Sequence, residues 1–559
     1  MKDCYLGLST SGHDPALALV DQSGNVIFAE ATERHVQLKR AWGISPDHPD
    51  HLRSLSNLID RKTNIQISRT WMAAKSLPGK DAHENSLFPP TDFNWLYKHQ
   101  NRAFDDAGIH VAQFQGKDIN KINDFDHHLC HAVNASYNAP FDSGLCIVID
   151  GEGEVGSLSI FLLKNRELKR IGRAWGPGSF GSYYSWLTQL CGFDWRLGEE
   201  WKVMGLAAFG RPNEEMVTLL KKTIQIKSGK PYPSSQLTLH ELTLAAKKFM
   251  RLPGEDIMKA ADLAASGQAV YAFWIDEILK YCQKYEQENL ILSGGCALNS
   301  SYNGTIKHRF QYKNIFVPSA PADDGNALGS ALLSWMKDSQ TQKIPSSNGT
   351  PYLGTNINNN KLEKKISHIA KYGGFSRITD IGNKSASMVA KMLSEGKIIG
   401  VIRGRAEFGP RALGNRSILA DPRSPQIKEI INERVKGREA YRPFAPIVPD
   451  NRVSDYFLND QPSPYMSFTI PWKGKMLNQI PGVVHKDGTG RLQTVNSSSN
   501  PWLNDLLLEF EKITNTPILL NTSFNVMGKP IVHSIEDAMA VLVTTGLDAV
   551  LIENVLIEK

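Results

Sequence analysis

The sequence has no closely spaced pair of cysteines and no long apolar run. Its six cysteines are scattered over 559 residues without any CxxC spacing. Zinc ribbons and disulfide frameworks both depend on regularly spaced cysteines, so neither is indicated, and a reducing cytoplasm is the expected location. The most apolar late stretch, 538–552, is broken by threonines and an aspartate and falls short of the roughly 18 apolar residues that a membrane span requires. No membrane attachment is expected.

The chain also lacks a strong excess of charge. Its formal net charge of +6 is too small, at this length, to argue for binding to nucleic acid. The distribution is more informative, because eight arginines lie between residues 403 and 442 and are interleaved with acidic residues. Mixed signs of this kind favour discrete pockets for small anions over a continuous track for a polyphosphate. We therefore expect no nucleic-acid partner.

The length implies more than one domain. A chain of 559 residues exceeds the roughly 250 to 300 residues that one hydrophobic core organises. Residues 339–362 are rich in Ser, Asn, Gln and Lys, which is typical of a linker. We predict a domain over 1–338, the linker over 339–362 and a second, smaller α/β domain over 363–559.

Two segments repeat a pattern of three short strands. The first runs from 4 to 31 and the second from 145 to 173, and in each the first apolar strand is followed by a polar or acidic turn. Helical sequence follows each segment. The repetition predicts a duplicated α/β domain, which is how the actin-like ATPase fold is built.

A histidine-rich segment is a candidate metal site. His127 and His131 are one helical turn apart, so both imidazoles lie on one face and can share a metal ion. Polar turns supply further candidate ligands, namely Asp150 after an apolar strand and Asp323 before a glycine. Two histidines and two carboxylates suit iron, manganese or zinc better than calcium. The spacing alone is equally compatible with histidines on a solvated helix face.

Other candidates lie in turns. His13 follows the first strand, where it could act as a general base on an acceptor hydroxyl or be an ordinary solvated histidine. An apolar strand ends at the paired glycines Gly294 and Gly295, where backbone N–H groups can approach a phosphate or ribose, although a plain strand-to-helix turn is the alternative. Lys202 lies in a segment that could line a nucleotide cleft.

The second half carries candidates for an anion site. Arginines near glycine and proline turns can bind a doubly charged phosphate bidentately, and nearby Ser and Asn side chains can hold a carbamoyl amide or ribose hydroxyls. Scattered solvated arginines are the alternative, which the apolar flanking residues weaken. The candidates are Arg411, Lys436, Arg438, Arg442, Arg491, Ser523 and Asn525.

Taken together, the motifs resemble one enzyme family over nearly the whole chain. They are His13-Asp14, the cluster 127–132, the segment 202–207, Gly294 to Asn299, the run 407–414, the segment 442–446, and Asn521 to Asn525. In this order they resemble the O-carbamoyltransferase family that includes the nodulation protein NodU and the antibiotic-tailoring enzyme TobZ. The resemblance implies an N-terminal actin-like (ASKHA) domain similar to TsaD and a smaller C-terminal domain similar to YrdC.

The resemblance also implies an activity and roles for individual residues. A YrdC-like domain would make carbamoyl-adenylate from carbamoyl phosphate and ATP, and a TsaD-like domain would transfer the carbamoyl group to a hydroxyl of a small-molecule acceptor. The implied cofactors are ATP with Mg²⁺ and a divalent metal of the Fe²⁺ kind. The implied roles are His13 as base; His127, His131, Asp150 and Asp323 as metal ligands; Lys202, Gly294, Gly295 and Asn299 as nucleotide-binding residues; and Arg411, Lys436, Arg438, Arg442, Arg491, Ser523 and Asn525 as the site for carbamoyl phosphate and the adenylate.

Two alternative functions stay open at this point. An actin-like small-molecule kinase would phosphorylate the acceptor, but it leaves the histidine cluster and the arginine-rich second domain without a role. A tRNA-modifying protein of the threonylcarbamoylation type is disfavoured by the modest net charge. The identity of the acceptor and the formation of a homodimer are also open.

Overall fold

The computed structural model describes residues 3–72, 93–116, 121–154, 156–174, 178–357, 359–372 and 375–559. The chain divides into two compact units, Met1–Gly349 and Thr350–Lys559. This division lies inside the segment 339–362 that the sequence predicts as a linker. The end of that segment is not linker, because a helix begins at Asn359. Leu362, Ile366 and Ile369 recur there at helical spacing.

The first unit contains twelve described strands and thirteen described helices. The strands are β1 (Asp3–Leu8), β2 (Ala16–Asp21), β3 (Val26–Ala31), β4 (Asn64–Thr70), β5 (Ile122–Phe125), β6 (Gly144–Ile149), β7 (Leu158–Lys164), β8 (Glu167–Arg173), β9 (Ile224–Lys227), β10 (Lys230–Pro233), β11 (Asn289–Ser293) and β12 (Asn314–Phe316). The helices are α1 (Glu33–Val36), α2 (Pro49–Ser54), α3 (Phe93–Asp106), α4 (Ile109–Gln115), α5 (His127–Asn138), α6 (Phe180–Leu190), α7 (Glu200–Leu206), α8 (Glu214–Lys221), α9 (Gln236–Ala246), α10 (Ala261–Cys282), α11 (Ser300–Asn303), α12 (Ile306–Arg309) and α13 (Asn326–Asp338).

Two five-stranded sheets of the first unit share one topology. Their strand orders are β3-β2-β1-β4-β5 and β8-β7-β6-β11-β12. In each sheet the first three strands pair antiparallel, and the last two add in parallel to the first strand. The first strand is therefore central in both sheets, and its carboxyl end lies beside that of a parallel neighbour. Polar residues that follow β1 and β6 occupy equivalent positions at the sheet edges.

Apolar burial explains why β1 and β6 are central. All six residues of β6, Gly144–Ile149, are buried, as are five of the six residues of β1. Continuous apolar strands of this kind need cover on both faces. Helix α13 packs against β1 and against α5. Its Gly329 allows the close approach, because a Cβ there would lie 2.0 Å from the carbonyl oxygen of Cys130. Helix α5 is thereby held beside the sheet edge.

The second unit is built on one nine-stranded mixed sheet. The strands are β13 (Arg377–Asp380), β14 (Ile399–Ile402), β15 (Arg416–Ala420), β16 (Ala445–Pro449), β17 (Phe468–Pro471), β18 (Thr489–Val495), β19 (Leu519–Ser523), β20 (Ala549–Ile552) and β21 (Val555–Glu558), in the order β13-β21-β20-β14-β15-β19-β16-β18-β17. The helices are α14 (Asn359–Tyr372), α15 (Ser385–Ser394), α16 (Ile427–Ile430), α17 (Val453–Tyr456), α18 (Pro501–Thr514) and α19 (Ile535–Thr544), with a π-helical turn at Ile431–Lys436.

The predicted α/β class, with mixed sheets, is confirmed in both units. The core of the second unit lies where α15 and α18 pack on the sheet, with Val389, Leu393, Leu503 and Phe510 buried against Val401. No helix within the described ranges combines the length and the apolarity needed to cross a membrane.

Candidate functional site

Four buried side chains of the first unit converge on one point. They are His127 and His131 from α5, Asp150 after β6 and Asp323 before α13, the set that the sequence singles out as metal ligands. The Oδ2 atom of Asp150 lies 2.9 Å from Nε2 of His127 and 3.2 Å from Nε2 of His131. The Oδ1 atom of Asp323 lies 3.4 and 3.3 Å from the same two nitrogens. Ligand atoms held about 2.0 to 2.2 Å from one metal ion have mutual separations of this size.

These four side chains, called the metal cluster below because they could hold one metal ion, carry charges that favour a cation. Burial alone lowers the pKa of His127, but Asp323 and Asp150 outweigh it and hold that pKa well above its usual value. Burial alone raises the pKa of Asp150, but His127 and His131 outweigh it and hold that pKa well below its usual value. In the absence of a cation, protons on the imidazoles balance the two carboxylates. A divalent ion could take the place of these protons, since two imidazoles and two carboxylates are ligands that suit transition metals.

The start of α5 is fixed by carboxylates. Asp126 caps the helix by accepting a hydrogen bond from the backbone N–H of Leu129 at 2.8 Å, and it is paired with Arg170 and Arg173 of β8. Glu154 accepts the N–H of His127 at 2.9 Å. Burial raises the pKa of Asp126, but the two arginines outweigh it and lower that pKa to about 2. The first turn of the helix, with His127 on it, is held by two carboxyl groups, of which Asp126 is kept ionised by its arginines.

The contacts around the metal cluster distinguish His127, a candidate ligand, from the adjacent His128. The Asn326 amide lies 3.2 Å from Nδ1 of His127, and its Oδ1 atom is buried with no partner in the described part of the chain. Turning this amide over would let Oδ1 accept the Nδ1–H of a metal-bound imidazole, the usual partner of a ligating histidine. His128 faces away and contacts Ser159 Oγ at 2.9 Å, and burial lowers its pKa to about 3. Asn326 is a contact that sequence reasoning missed.

His13, the predicted base, lies beside the metal cluster. Its Nε2 atom is 3.6 Å from Oδ2 of Asp323, and its Nδ1 atom is 2.9 Å from Oδ2 of Asp14. Arg40 is 3.2 Å from the same oxygen of Asp14. Burial raises the pKa of Asp14, but Arg40 and His13 outweigh it and lower that pKa. Nδ1 also lies 3.1 Å from Nη2 of Arg40, so Asp14 and Arg40 both hold this side of the ring, and Nε2 is the nitrogen that faces the cluster.

The candidate nucleotide residues have protein partners in this structure. Gly294 has a φ of 88°, and a Cβ there would lie 2.2 Å from the carbonyl oxygen of Ile149. The N–H of Gly295 donates to Oδ1 of Asp150 at 2.9 Å, so this turn supports a metal-cluster residue.

The side chains of two further nucleotide-binding candidates, Asn299 and Lys202, also have protein partners. The amide of Asn299 exchanges two hydrogen bonds of 3.0 Å with Gln268. Lys202 is buried, and its Nζ atom lies 2.6 Å from Oε1 of Glu199. A nucleotide role for these residues therefore stays a prediction.

In the second unit, three of the predicted anion-site residues are in direct contact. Nζ of Lys436 contacts the backbone oxygen of Ser523, lies 3.3 Å from its Oγ, and lies 2.7 Å from Oδ1 of Asn525. Lys436 ends the π-helical turn, whereas Ser523 ends β19, and the fold brings them together from 87 residues apart. The lysine is only 2% exposed.

The four predicted arginines form a second group, the arginine cluster of Arg411, Arg438, Arg442 and Arg491. Burial lowers the pKa of Arg491, and the three other guanidinium groups lower it further. Burial alone lowers the pKa of Arg411 to about 10. Within the described residues, Arg442 pairs with Glu439 at 3.3 Å, and Arg411 and Arg491 have no side-chain hydrogen bond or ion pair. Four half-buried guanidinium groups this close together suit an anion, and their role in binding one stays a prediction.

Sequence reasoning missed two residues that hold the loops of this cluster. The buried Glu407 accepts the backbone N–H groups of Leu413, Asn415 and Arg416 at 2.8, 2.8 and 3.1 Å, and so shapes the loop that carries Arg411. Asn432 accepts a hydrogen bond from Nε of Arg438 at 2.7 Å. The only available signal was their place within or just before the arginine-rich segments.

Comparison with known proteins identifies relatives over the whole chain. The family model described as Carbamoyltransferase N-terminus matches residues 4–332, and the one described as Carbamoyltransferase C-terminus matches residues 390–559. An uncharacterized protein of Synechocystis sp. is 33% identical over 99% of this chain and 96% of its own. Nodulation protein NolNO of Sinorhizobium fredii is 34% identical over 80% of this chain and 66% of its own. Nodulation protein U of Rhizobium tropici is 29% identical over 95% of this chain and 92% of its own.

Proposed function

The chain belongs to the carbamoyltransferase family, and we propose that it is an ATP-dependent O-carbamoyltransferase that uses carbamoyl phosphate and acts on a hydroxyl of a small-molecule acceptor. The second unit activates the carbamoyl group as carbamoyl-adenylate, and the first unit transfers it. The observation that carries the proposal is the arginine cluster, whose half-buried guanidinium groups lie close enough together to lower the pKa of Arg491 and suit a dianion such as carbamoyl phosphate.

The activation of the carbamoyl group takes place in two steps. Carbamoyl phosphate and water give carbamate and phosphate; a carbamate oxygen then bonds to the α-phosphorus of ATP, and pyrophosphate leaves. Arg411, Arg438 and Arg491 would bind the phosphate groups of the substrates, with Mg²⁺ accompanying ATP. Lys436, already bound to oxygens of Ser523 and Asn525, would hold the carbamate oxygen and order these two side chains around it.

The transfer half uses His13. The acceptor hydroxyl gives its proton to Nε2 of His13, its oxygen bonds to the carbamoyl carbon, and the bond from that carbon to the phosphate oxygen breaks to release AMP. Asp14, 2.9 Å from Nδ1, orients the ring and stabilises the imidazolium that forms. The four residues of the metal cluster would hold a divalent ion such as Fe²⁺, which when bound polarises the carbamoyl carbonyl.

The duplicated sheets of the first unit support an actin-like, TsaD-like domain. Both sheets carry three antiparallel strands extended by two parallel ones. In this arrangement the turns after the first strands bring His13 and Asp150 to equivalent sheet edges, a placement suited to a site between two halves. For the second unit, the contacts of Lys436 with Ser523 and Asn525 support the grouping of these residues that the YrdC-like resemblance implies.

The activation half can be tested without knowing the acceptor. Purified protein is incubated with ATP, Mg²⁺ and carbamoyl phosphate, and the products are followed by mass spectrometry. We expect pyrophosphate, phosphate and carbamoyl-adenylate or its breakdown product AMP, and at least a tenfold loss of rate in Arg438→Ala. Arg423→Ala is the matched control, because Arg423 in the same unit is paired with Asp421 at 2.6 Å.

Two results would contradict the proposal. Formation of ADP in place of pyrophosphate would indicate a kinase. Equal rates in the wild type and in Arg438→Ala would mean that the arginine cluster does not bind the substrate. Once activation is established, alcohols can be screened as acceptors, and His13→Ala should lose transfer while keeping activation.

A further inference from the structure

One buried amide lies at the centre of the loop that carries two arginines of the cluster. Asn432 is in the π-helical turn Ile431–Lys436 and is 1% exposed. The chain then turns at Gly437, which has a φ of 59° and whose N–H donates to the backbone oxygen of Asn432. Arg438 and Arg442 follow in the irregular segment after this turn. A π-helical turn is rare and is often found at functional sites.

Asn432 holds Arg438 at two places. Its backbone oxygen accepts the N–H of Arg438 at 2.9 Å, and its Oδ1 atom accepts Nε–H of the same residue at 2.7 Å. The Nε bond leaves the outer nitrogens of the guanidinium for a ligand. The ring of Phe444 lies 4.9 Å from the guanidinium carbon and limits its movement from another side.

The other end of the amide holds the rest of the loop. Nδ2 of Asn432 donates to the backbone oxygens of Ala440 and Arg442, both at 3.2 Å. The orientation of the amide is unambiguous, because Nε of an arginine can only donate and a carbonyl oxygen can only accept. These four hydrogen bonds of Asn432 therefore hold the segment 438–442.

We propose that Asn432 is a positioning residue of the anion site, which directs the guanidinium groups of Arg438 and Arg442 toward carbamoyl phosphate. This inference rests on the proposed function of the second unit. Like-charged guanidinium groups repel one another, so without a fixed loop they would separate and turn to solvent. The amide opposes this with hydrogen bonds and brings no negative charge, which would compete with the substrate anion.

The test compares five variants in the pyrophosphate-release assay with carbamoyl phosphate as the probe. We expect kcat/KM for carbamoyl phosphate to fall on the order of 10- to 100-fold in Asn432→Ala. A larger fall is expected in Asn432→Asp, which keeps an acceptor for Nε but loses both donors and adds a negative charge. Asn500→Ala, which removes a buried amide bonded to Tyr352 and Asn415, should change kcat/KM less than threefold.

A double variant separates positioning from general stability. If Asn432 acts through Arg438, then Asn432→Ala combined with Arg438→Ala loses clearly less than the product of the two single losses. Losses that multiply, or an Asn432→Ala variant with wild-type kcat/KM, would overturn the inference. So would an equal loss in Asn500→Ala. Asn432→Asp, which is nearly isosteric, keeps the test valid if the alanine variant does not fold. Absence of pyrophosphate from the wild type would instead refute the proposed function.

Discussion

Asp126 offers a quantitative test of how the metal cluster is supported. Its carboxylate caps α5 and is paired with Arg170 and Arg173, which together hold its pKa at about 2, against 3.8 for a free side chain. A folded-state pKa below the unfolded value adds stability at neutral pH, and this is lost as the pH falls through 3.8 toward 2. The difference corresponds to about 2 kcal/mol at pH 7.

Asp126→Asn keeps the capping oxygen and removes the charge. For a unit of 349 residues, about 2 kcal/mol lowers the unfolding midpoint by roughly 3 °C. Asp126→Ala also removes the cap and should cost about 1 kcal/mol more. The assay is thermal unfolding followed by circular dichroism at pH 7.

The matched control is Asp194→Asn. Asp194 also accepts a backbone N–H and pairs with an arginine, but its side chain and that of Arg196 are 34% and 59% exposed. Exposed pairs contribute little, so a midpoint shift below about 1 °C is expected. If Asp126→Asn destabilises the protein no more than Asp194→Asn does, the buried pair with two arginines is not a stabilising contact and the reasoning fails.

Three further perturbations test other parts of the structure. Asn326→Ala should weaken binding of Zn²⁺ or Fe²⁺ about 10- to 100-fold in a chelator competition titration, because a ligating histidine loses its hydrogen-bond partner. The control is Asn134→Ala, which removes an equally buried amide that does not contact the cluster histidines and should leave metal affinity unchanged. Burial lowers the pKa of His485 to about 4. The unfolded state therefore binds the proton first, and about 2 kcal/mol should be lost between pH 7 and 5. Urea unfolding should show that His485→Gln abolishes this loss and that the exposed His240→Gln does not. Gly294→Ala should lower the urea midpoint by the equivalent of more than about 3 kcal/mol, since its Cβ would meet a backbone oxygen at 2.2 Å; a wild-type midpoint would contradict this.

Much of the fold could be read from the chain because its signals are local. The strands Asp3–Leu8 and Gly144–Ile149 are apolar runs bounded by polar turns, and the sequence predicts both within two residues. The helical spacing of His127 and His131 likewise predicts that they share one face of α5. Such features depend on residues a few positions apart, so no knowledge of tertiary contacts is needed.

The supporting contacts of the site could not be read in this way. Glu154 binds the N–H of His127, and Asn326 lies against its ring from 199 residues away. Glutamate and asparagine are common residues, and nothing in their immediate neighbours marks these two. The partner of Lys202 was equally hidden, because the sequence does not show that this lysine pairs with Glu199 at 2.6 Å.

The sequence by itself determined the α/β class, the family and the types of residue that could form each site, because these depend on periodicity and on motifs in a fixed order. Only the tertiary structure decided which candidates meet. Asp150 and Asp323 reach His127 and His131 because the turn after β6 and the turn before α13 meet α5 in the folded first unit. The arginine cluster likewise depends on folding, because Arg411 comes from a loop and Arg491 from strand β18, and their guanidinium groups interact only when the second unit brings them together.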